Sequence, residues 1–568
     1  MNFNDQENDF FTSPNIVDFI VEDNEYFDNY MKAHPEIVAT HAYRGGYKVA
    51  YTDRKNLDEV IRDLGQSYIS LSVVLGLLDQ QALDASGITQ VQQKNTLNLR
   101  GQGVLIGIVD TGIDYTNDVF RYADGSSKIV GIYDQTVIGN GPYELSIGTE
   151  YTREQINDAL NSENPYSIVP EQDTVGHGTF LASLAAGNEV DDFIGAAPEA
   201  ELIVVKLRKA RPYYIEKYLI PPEQENVYES STVIAGIEYI LGKAQELNRP
   251  VAICLGLGTN LSSHNGFSIF EEYLSHISKF AGVCLCIAGG NESQAKHHFL
   301  GFIDKAEDNQ KIEIQVGENS QDIYLSIWNN APDRLSVAIM SPNGEFINRI
   351  PAKTNTIFTA RLTDENCVVI VEYTFPTRGM GSQNTVVKII EPTAGIWIVF
   401  VYGDIIIDGT VHAWLPLTGL GPPDVEFVSP NPNYTIVVPA TAIGPICCGA
   451  YNTLNNSLYE LSSWGPSRIS IMLPDFVSPG VNVGGVFPDG YGKLNGTSVA
   501  SAITTGAGAL MLQWGIVKKN EIAISTFQIR AYLIRGCNRS PNTEYPNTQW
   551  GYGRMNLLQS FKMMQTNI

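Results

Sequence analysis

Three polar residues stand in sequence settings suited to one kind of chemistry. The apolar run Val104-Leu-Ile-Gly-Ile-Val ends in Asp110 and turns at Gly112, the pattern of a buried parallel strand whose carboxyl end faces a cleft. His177 lies between Gly176 and Gly178 at the head of a small-residue segment that runs to Gly187, and the flanking glycines let another stretch of chain approach the imidazole closely. Ser498 opens a second small-residue segment, Asn495-Gly-Thr-Ser-Val-Ala-Ser-Ala, and reads as a helix start, where unpaired backbone N–H groups favour developing negative charge. These types together fit nucleophilic acyl transfer. A serine hydroxyl is a weak nucleophile at neutral pH, so an imidazole of pKa about 6.5 has to take its proton as it attacks a carbonyl. The imidazolium so formed needs a fixed tautomer and a counter-charge, which a buried carboxylate supplies.

The order Asp, His, Ser and the motifs Asp110-Thr-Gly-Ile-Asp114, Gly176-His-Gly-Thr179 and Gly496-Thr-Ser-Val-Ala500 resemble the subtilisin-like (subtilase) serine proteases. A fourth segment, Ile287-Ala-Gly-Gly-Asn291-Glu292, is similar to the family's oxyanion segment. The resemblance implies an α/β fold, a parallel sheet with helices on both faces, in which Asp110, His177 and Ser498 are catalytic. It also implies that the Asn291 amide and the Ser498 backbone N–H form the oxyanion hole. Leu255, Gly256, Leu257 and Gly258 become the strand that pairs with an extended protein substrate, and with Ala288, Gly289 and Gly290 they wall the first specificity pocket. Without the triad, the same run would read as a glycine-rich core strand.

The elements that have to position these groups leave chain to spare. Between Asn291 and Ser498 lie 206 residues, far more than a few connecting elements need. Alternating apolar runs at 311–316, 323–328, 336–340, 368–372, 386–390, 395–401 and 409–414, with turn signals such as Pro342-Asn-Gly344, predict an inserted β-sandwich or jelly roll over 299–424. The catalytic core is then split into 81–298 and 425–568. Trp328, Trp397 and Trp414 suit either the core of this insertion or a carbohydrate groove. At the front, a strand at 46–52, a helix at 56–64 and an apolar run at 69–78 match a subtilase propeptide over residues 1–80, with self-cleavage expected after Gln80 or Gln81. A plain amphipathic amino-terminal subdomain is the alternative. A propeptide of this kind would stay in the cleft as a product-like inhibitor.

Nearly the whole layout resembles the Csp germination proteases of clostridial spores. That resemblance implies limited proteolysis of the precursor of a spore cortex-lytic enzyme, with the propeptide staying bound, and a spore-associated protein. Some members lack triad residues and act as signalling pseudoproteases; this chain keeps Asp110, His177 and Ser498. A silent subtilase-fold binding module and a general intracellular peptidase are the competing classes.

Composition narrows the partners. Lys and Arg number 37 and Asp and Glu 62, a net charge of −25, which disfavours nucleic acid and anionic membrane surfaces. With 43% hydrophobic and 17% charged residues, the chain is globular. The first twenty residues are acidic and broken by Pro14, unlike a secretory signal, so synthesis in the cytoplasm is expected, and no apolar run is long enough to predict a membrane span. Seven cysteines, odd in number and set in apolar runs, are expected to be reduced and buried. No EF-hand loop is present, so no metal or cofactor is expected, although structural calcium occurs in the family. His297 and His298 read as a solvated loop.

Overall fold

The computed structural model describes residues 13–65, 68–77, 84–94, 97–139, 141–145, 147–190, 193–318, 320–354 and 356–565. Its centre is a sheet of eight strands. In chain order these are β6 (Leu105–Asp110), β7 (Ile129–Asp134), β8 (Thr149–Thr152), β9 (Glu201–Lys206), β11 (Val251–Leu255), β13 (Val283–Ala288), β25 (Ile446–Tyr451) and β26 (Phe476–Pro479). Their spatial order is β26-β25-β13-β11-β6-β9-β7-β8, parallel throughout except for the edge strand β8. The strand period of two sorts side chains between the faces. Ile106 and Ile108 of β6 join one core, with the helices α5 (His177–Ala186) and α9 (Thr497–Leu512), while Leu105 and Val109 join the other, with α7 (Ser230–Glu246) and α8 (Ile269–Ile277). Every residue of α5 and α9 is buried, which explains why these helices are rich in small residues, fill the remaining positions mainly with Leu, Ile, Val, Phe and Met, and carry no charged face. The segment Thr497–Val517 is long and apolar enough to cross a bilayer, and most of it is buried inside this core.

The insertion is two antiparallel sheets facing each other. One has six strands in the order β14 (His298–Phe302), β23 (Thr410–Trp414), β16 (Ile323–Asn329), β21 (Gln383–Ile390), β20 (Cys367–Thr374) and β19 (Ile357–Leu362). The other has five, in the order β18 (Phe346–Ile350), β17 (Arg334–Met340), β22 (Gly395–Ile405), β15 (Asn309–Val316) and β24 (Val425–Phe427). Inward residues of both sheets share one apolar core. Trp328, Trp397 and Trp414 are all buried, so they pack the molecule and leave no exposed aromatic groove. Val425 and Phe427 pair with β15 and point into the sandwich core, so the chain leaves the insertion after Phe427, three residues beyond the expected boundary.

The amino-terminal unit folds on a four-stranded sheet in the order β2 (Ile37–Tyr43), β3 (Tyr47–Asp53), β1 (Ile16–Glu22) and β4 (Ile69–Leu71). Two helices, α1 (Glu25–Ala33) and α2 (Leu57–Leu64), cover it; Phe27, Leu57, Val60 and Leu64 bury against Val17, Phe19 and Val21. Its last strand, β5 (Val74–Leu77), leaves this sheet and lies between two strands of the catalytic half. Leu75 pairs with Tyr228 in β10 (Tyr228–Glu229), and Leu77 and Gly76 pair with Leu257 and Gly258 in β12 (Leu257–Gly258), antiparallel on both sides. Gln80 and Gln81 lie outside the described residues.

Candidate active site

The site begins where β6 ends. Asp110, at the carboxyl end of that strand, accepts from His177 Nδ1 at 2.7 Å and from the Thr111 N–H at 2.8 Å through Oδ1. His177 is the first residue of α5, and its Nε2 lies 3.2 Å from Ser498 Oγ. Ser498 is the second residue of α9, reached through Gly496, whose φ of +145° disfavours a side chain. All three side chains are buried, so the imidazole proton and the carboxylate charge are shielded from water. The structure thus brings together three residues from strand and helix ends 67 and 321 positions apart.

Glycines make this closeness possible. A Cβ on Gly178 would lie 2.3 Å from the Gly112 carbonyl oxygen, so the turn after β6 reaches α5 only because that position is bare. A Cβ on Gly256 would lie 3.1 Å from both His177 Cε1 and Ser498 Cβ, so the strand to which β12 belongs passes directly beside the triad. Asn291 Oδ1 accepts from the Thr497 N–H at 3.1 Å and from Thr497 Oγ1 at 3.2 Å, which fixes the amide with its NH2 end as the remaining donor. The Gly290 N–H donates to Thr497 Oγ1 at 3.0 Å, tying the same segment to the residue before Ser498. Ala288 ends β13, and Gly289 donates to the Cys448 carbonyl at 2.8 Å, so the second wall continues the central sheet.

Sequence reasoning missed the groups that hold the triad in place. Asp173 Oδ1 accepts from Thr111 Oγ1 and the Gly176 N–H, each at 2.8 Å, and its Oδ2 accepts from the Thr179 N–H and hydroxyl at 2.9 and 2.7 Å. Thr111 Oγ1 in turn accepts from the Gly178 N–H at 2.9 Å. One carboxylate therefore joins the turn after Asp110 to the first turn of the helix that carries His177. Asp173 stands four positions before the helix start, upstream of the cap position that Gly176 occupies, so no local capping signal marks it in the sequence. Glu171 accepts from the Ile113 N–H at 3.1 Å; its burial pushes its carboxyl well above the usual carboxylate range, against the pull of Lys206 3.8 Å away.

His298 departs from the expected solvated loop. It is buried, its Nε2 lies 3.1 Å from His412 Nδ1, and with His264 it packs around Trp414 at the seam between insertion and core. His297 pairs with the buried Glu292 at 2.9 Å. The cause is the early start of β14, which pairs His298 with Trp414 and draws it inward. Among the described residues no three His, Cys, Asp or Glu side chains gather as a metal site, and all seven cysteines are free and buried.

Known proteins of one family resemble this chain. The model of the subtilase family matches residues 101–321 and 383–553. The structure of the Clostridium perfringens CspB protease superimposes with a TM-score of 0.75 at 30% identity, covering 85% of this chain and 99% of that one. Among curated proteins, subtilisin-like protease SBT3.17 of Arabidopsis thaliana is 22% identical over 523 residues, 83% of this chain and 62% of its own length. Subtilisin-like protease 4 of Trichophyton equinum is 24% identical over 279 residues, 47% of this chain and 55% of its own. The chain thus spans less than two thirds of the length of these two relatives.

Proposed function

This chain belongs to the subtilase family, and from that premise we propose that it is a serine endopeptidase which cuts its own chain behind the amino-terminal unit and then activates the precursor of a spore cortex-lytic enzyme by limited proteolysis. The observation that carries the catalytic reading is the continuous relay from Asp110 through His177 to Ser498, at 2.7 and 3.2 Å. In it His177 Nε2 takes the Ser498 proton as Oγ attacks the substrate carbonyl, then returns it to the leaving amine. Asp110 keeps the other ring nitrogen protonated and balances the imidazolium charge. The Asn291 NH2 and the Ser498 N–H receive the oxyanion, and loss of one such donor costs about 2.7–4 kcal/mol of barrier.

The self-processing reading is supported by β5. It lies antiparallel on Leu257 and Gly258, as a bound peptide would, and its chain direction runs toward Gly256, the residue beside the triad. An amino-terminal unit held this way acts as an inhibitor until displaced. The spore-enzyme substrate rests on the resemblance to the Csp germination proteases and on the likeness to CspB over most of both chains.

Reaction of the purified protein with a fluorophosphonate probe tests the peptidase reading. Labelling that vanishes in Ser498→Ala is the expected result, and its absence from the wild type leaves a binding module. Cleavage of the cortex-lytic precursor at one bond, with unfolded casein left largely whole, is expected of a processing enzyme; broad digestion of casein would instead identify a general peptidase.

A further inference from the structure

The chain around Asn291 has little to fix it beyond its hydrogen bonds. β13 ends at Ala288, so Asn291 stands three residues past the central sheet, behind two glycines whose backbone is free to take many conformations. On that side the Gly290 N–H donates to Thr497 Oγ1 at 3.0 Å, and the Gly290 carbonyl accepts from the Ser463 N–H at 2.8 Å. An oxyanion donor works only when it stands about 2.7–3.1 Å from the place where the charge develops. The residue on the other side of Asn291 therefore bears on the chemistry as much as the glycines do.

That residue is Glu292, whose side chain is buried. Its backbone N–H donates to Ser463 Oγ at 3.0 Å, and its carboxylate reaches three other segments. Oε2 accepts from Asn260 Nδ2 at 3.1 Å and lies 2.9 Å from His297 Nδ1, while Oε1 accepts from the Thr418 N–H at 3.2 Å. Asn260 follows β12 by two residues and so continues the facing strand of the cleft. His297 directly precedes β14, the first strand of the insertion, and Thr418 lies in the loop between β23 and β24, its last two. Leu415 closes the knot: its N–H donates to the His297 carbonyl at 3.0 Å, and its carbonyl accepts from Asn260 Nδ2 at 3.3 Å. Burying a carboxylate is costly unless its oxygens are met, and here they are met by donors from the opposite strand and from both ends of the insertion. Among the described residues no lysine or arginine forms an ion pair with it, so directed bonds from these segments set its place.

We infer that Glu292 is a positioning residue for the Asn291 amide: it ties the segment that carries the oxyanion donor to the facing strand through Asn260 and to the inserted sandwich through His297 and Thr418. The inference rests on the peptidase reading and extends it to the insertion, whose two ends thereby brace the oxyanion hole from outside the catalytic core. Glu292 touches neither Ser498 nor the reacting carbonyl in this scheme. It acts through its neighbour, so its effect exists only while the Asn291 amide is there to be placed. Ground-state binding of the peptide, which runs along β12, is left nearly unchanged, whereas stabilisation of the tetrahedral oxyanion is lost.

The test is a double-mutant cycle on full-length protein, with active serine counted by the fluorophosphonate probe and turnover followed on one peptide substrate. Glu292→Ala is expected to lower kcat by about tenfold to a hundredfold with KM within about threefold, the scale of a catalytic group displaced by a fraction of its bond length. Asn291→Ala alone is expected to cost about a hundredfold to a thousandfold in kcat. Adding Glu292→Ala to Asn291→Ala is expected to cost less than about threefold more, because groups that act as a unit are not additive. A peptide aldehyde, which adds to Ser498 and places its oxygen in the same hole, should lose affinity in Glu292→Ala by the same factor as kcat. Losses that multiply in the double variant overturn the inference, as does a kcat within about threefold of wild type in Glu292→Ala. If Glu292→Ala does not fold, His297→Ala, which withdraws only one donor from the carboxylate, takes its place in the same cycle with an expected loss of about threefold to tenfold, again only while Asn291 is present. Absence of labelling in the wild type removes the peptidase reading and this inference with it, whereas labelling with multiplying losses removes only the inference.

Discussion

Arg211 holds the amino-terminal unit to the catalytic half, and its removal should loosen that unit by a calculable amount. Its guanidinium, 4% exposed, stands between two fully buried carboxylates, Asp18 of β1 and Glu229 of β10, with Nη1 pairing to Asp18 and lying 2.9 Å from Glu229 Oε2. Without Arg211, Asp18 keeps only the Ser72 hydroxyl at 2.8 Å, and Glu229 keeps Arg208 at the longer distance of 3.4 Å. Arg211→Met retains the bulk of the stem but leaves two buried carboxylates without their shared cation. Breaking a buried pair in this way costs about 3–5 kcal/mol, or two to four powers of ten in the opening of β1 from its dock. Hydrogen exchange on the amides of Ile16–Glu22 measures that opening directly, whether or not the chain has been cut. The expected result is a loss of protection in Arg211→Met that is confined to the amino-terminal unit, with a smaller loss in Asp18→Asn, which leaves Arg211 paired to Glu229. Protection of β1 within about threefold of wild type in Arg211→Met would mean that the ion cluster contributes nothing to the dock.

Other expectations follow from single contacts. Gly256→Ala places a Cβ 3.1 Å from His177 Cε1 and Ser498 Cβ and 2.8 Å from Leu181 Cδ1, so kcat should fall by about a hundredfold or more while the fold survives; circular dichroism and peptide turnover separate the two. Burial holds His264 and His298 neutral, with pKa values lowered from 6.5 to about 4 and about 3, and lowers that of His412 well below 6.5. The unfolded chain takes up protons at these positions first as pH falls, so stability is full above pH 6.5 and declines toward pH 4, by up to about 1.4 kcal/mol per pH unit for each histidine. Urea titrations at stepwise lower pH check the sign, and a midpoint that rises on acidification contradicts it. Lys128 is buried and donates to the Ala186 carbonyl at 2.5 Å, Asn188 Oδ1 at 2.9 Å and the Pro198 carbonyl at 2.7 Å, closing the carboxyl end of the His177 helix. Lys128→Met leaves these acceptors unmet and should lower the urea midpoint by the equivalent of about 2–3 kcal/mol with the slope unchanged.

The sequence was most legible where short-range pattern and chemistry coincide. Asp110 at a strand end, His177 between glycines and Ser498 at a helix start are each written in a few adjacent residues, and the alternating runs of the insertion coincide with seven of the eleven strands described there, the short strands 298–302, 346–350, 357–362 and 425–427 carrying no comparable pattern. Contacts between distant segments were not legible. Asp173 reads as a loop residue until Thr111, more than sixty positions earlier, is seen to donate to it. His298 looked solvated because two adjacent histidines at a boundary suggest a loop; its partners His412 and Trp414 arrive more than a hundred residues later. Val425–Phe427 suits a core strand equally well in the sequence, and only its pairing with β15 decides which sheet takes it.

On the proposed function, the three assembled residues cut peptide bonds, beginning with the chain's own. Intact mass and amino-terminal sequencing of the purified wild type beside Ser498→Ala test it most directly. The wild type should be split within residues 79–83 and the variant should stay whole. If both remain whole, or if both are cut at the same bond, the relay from Asp110 to Ser498 is not performing that chemistry.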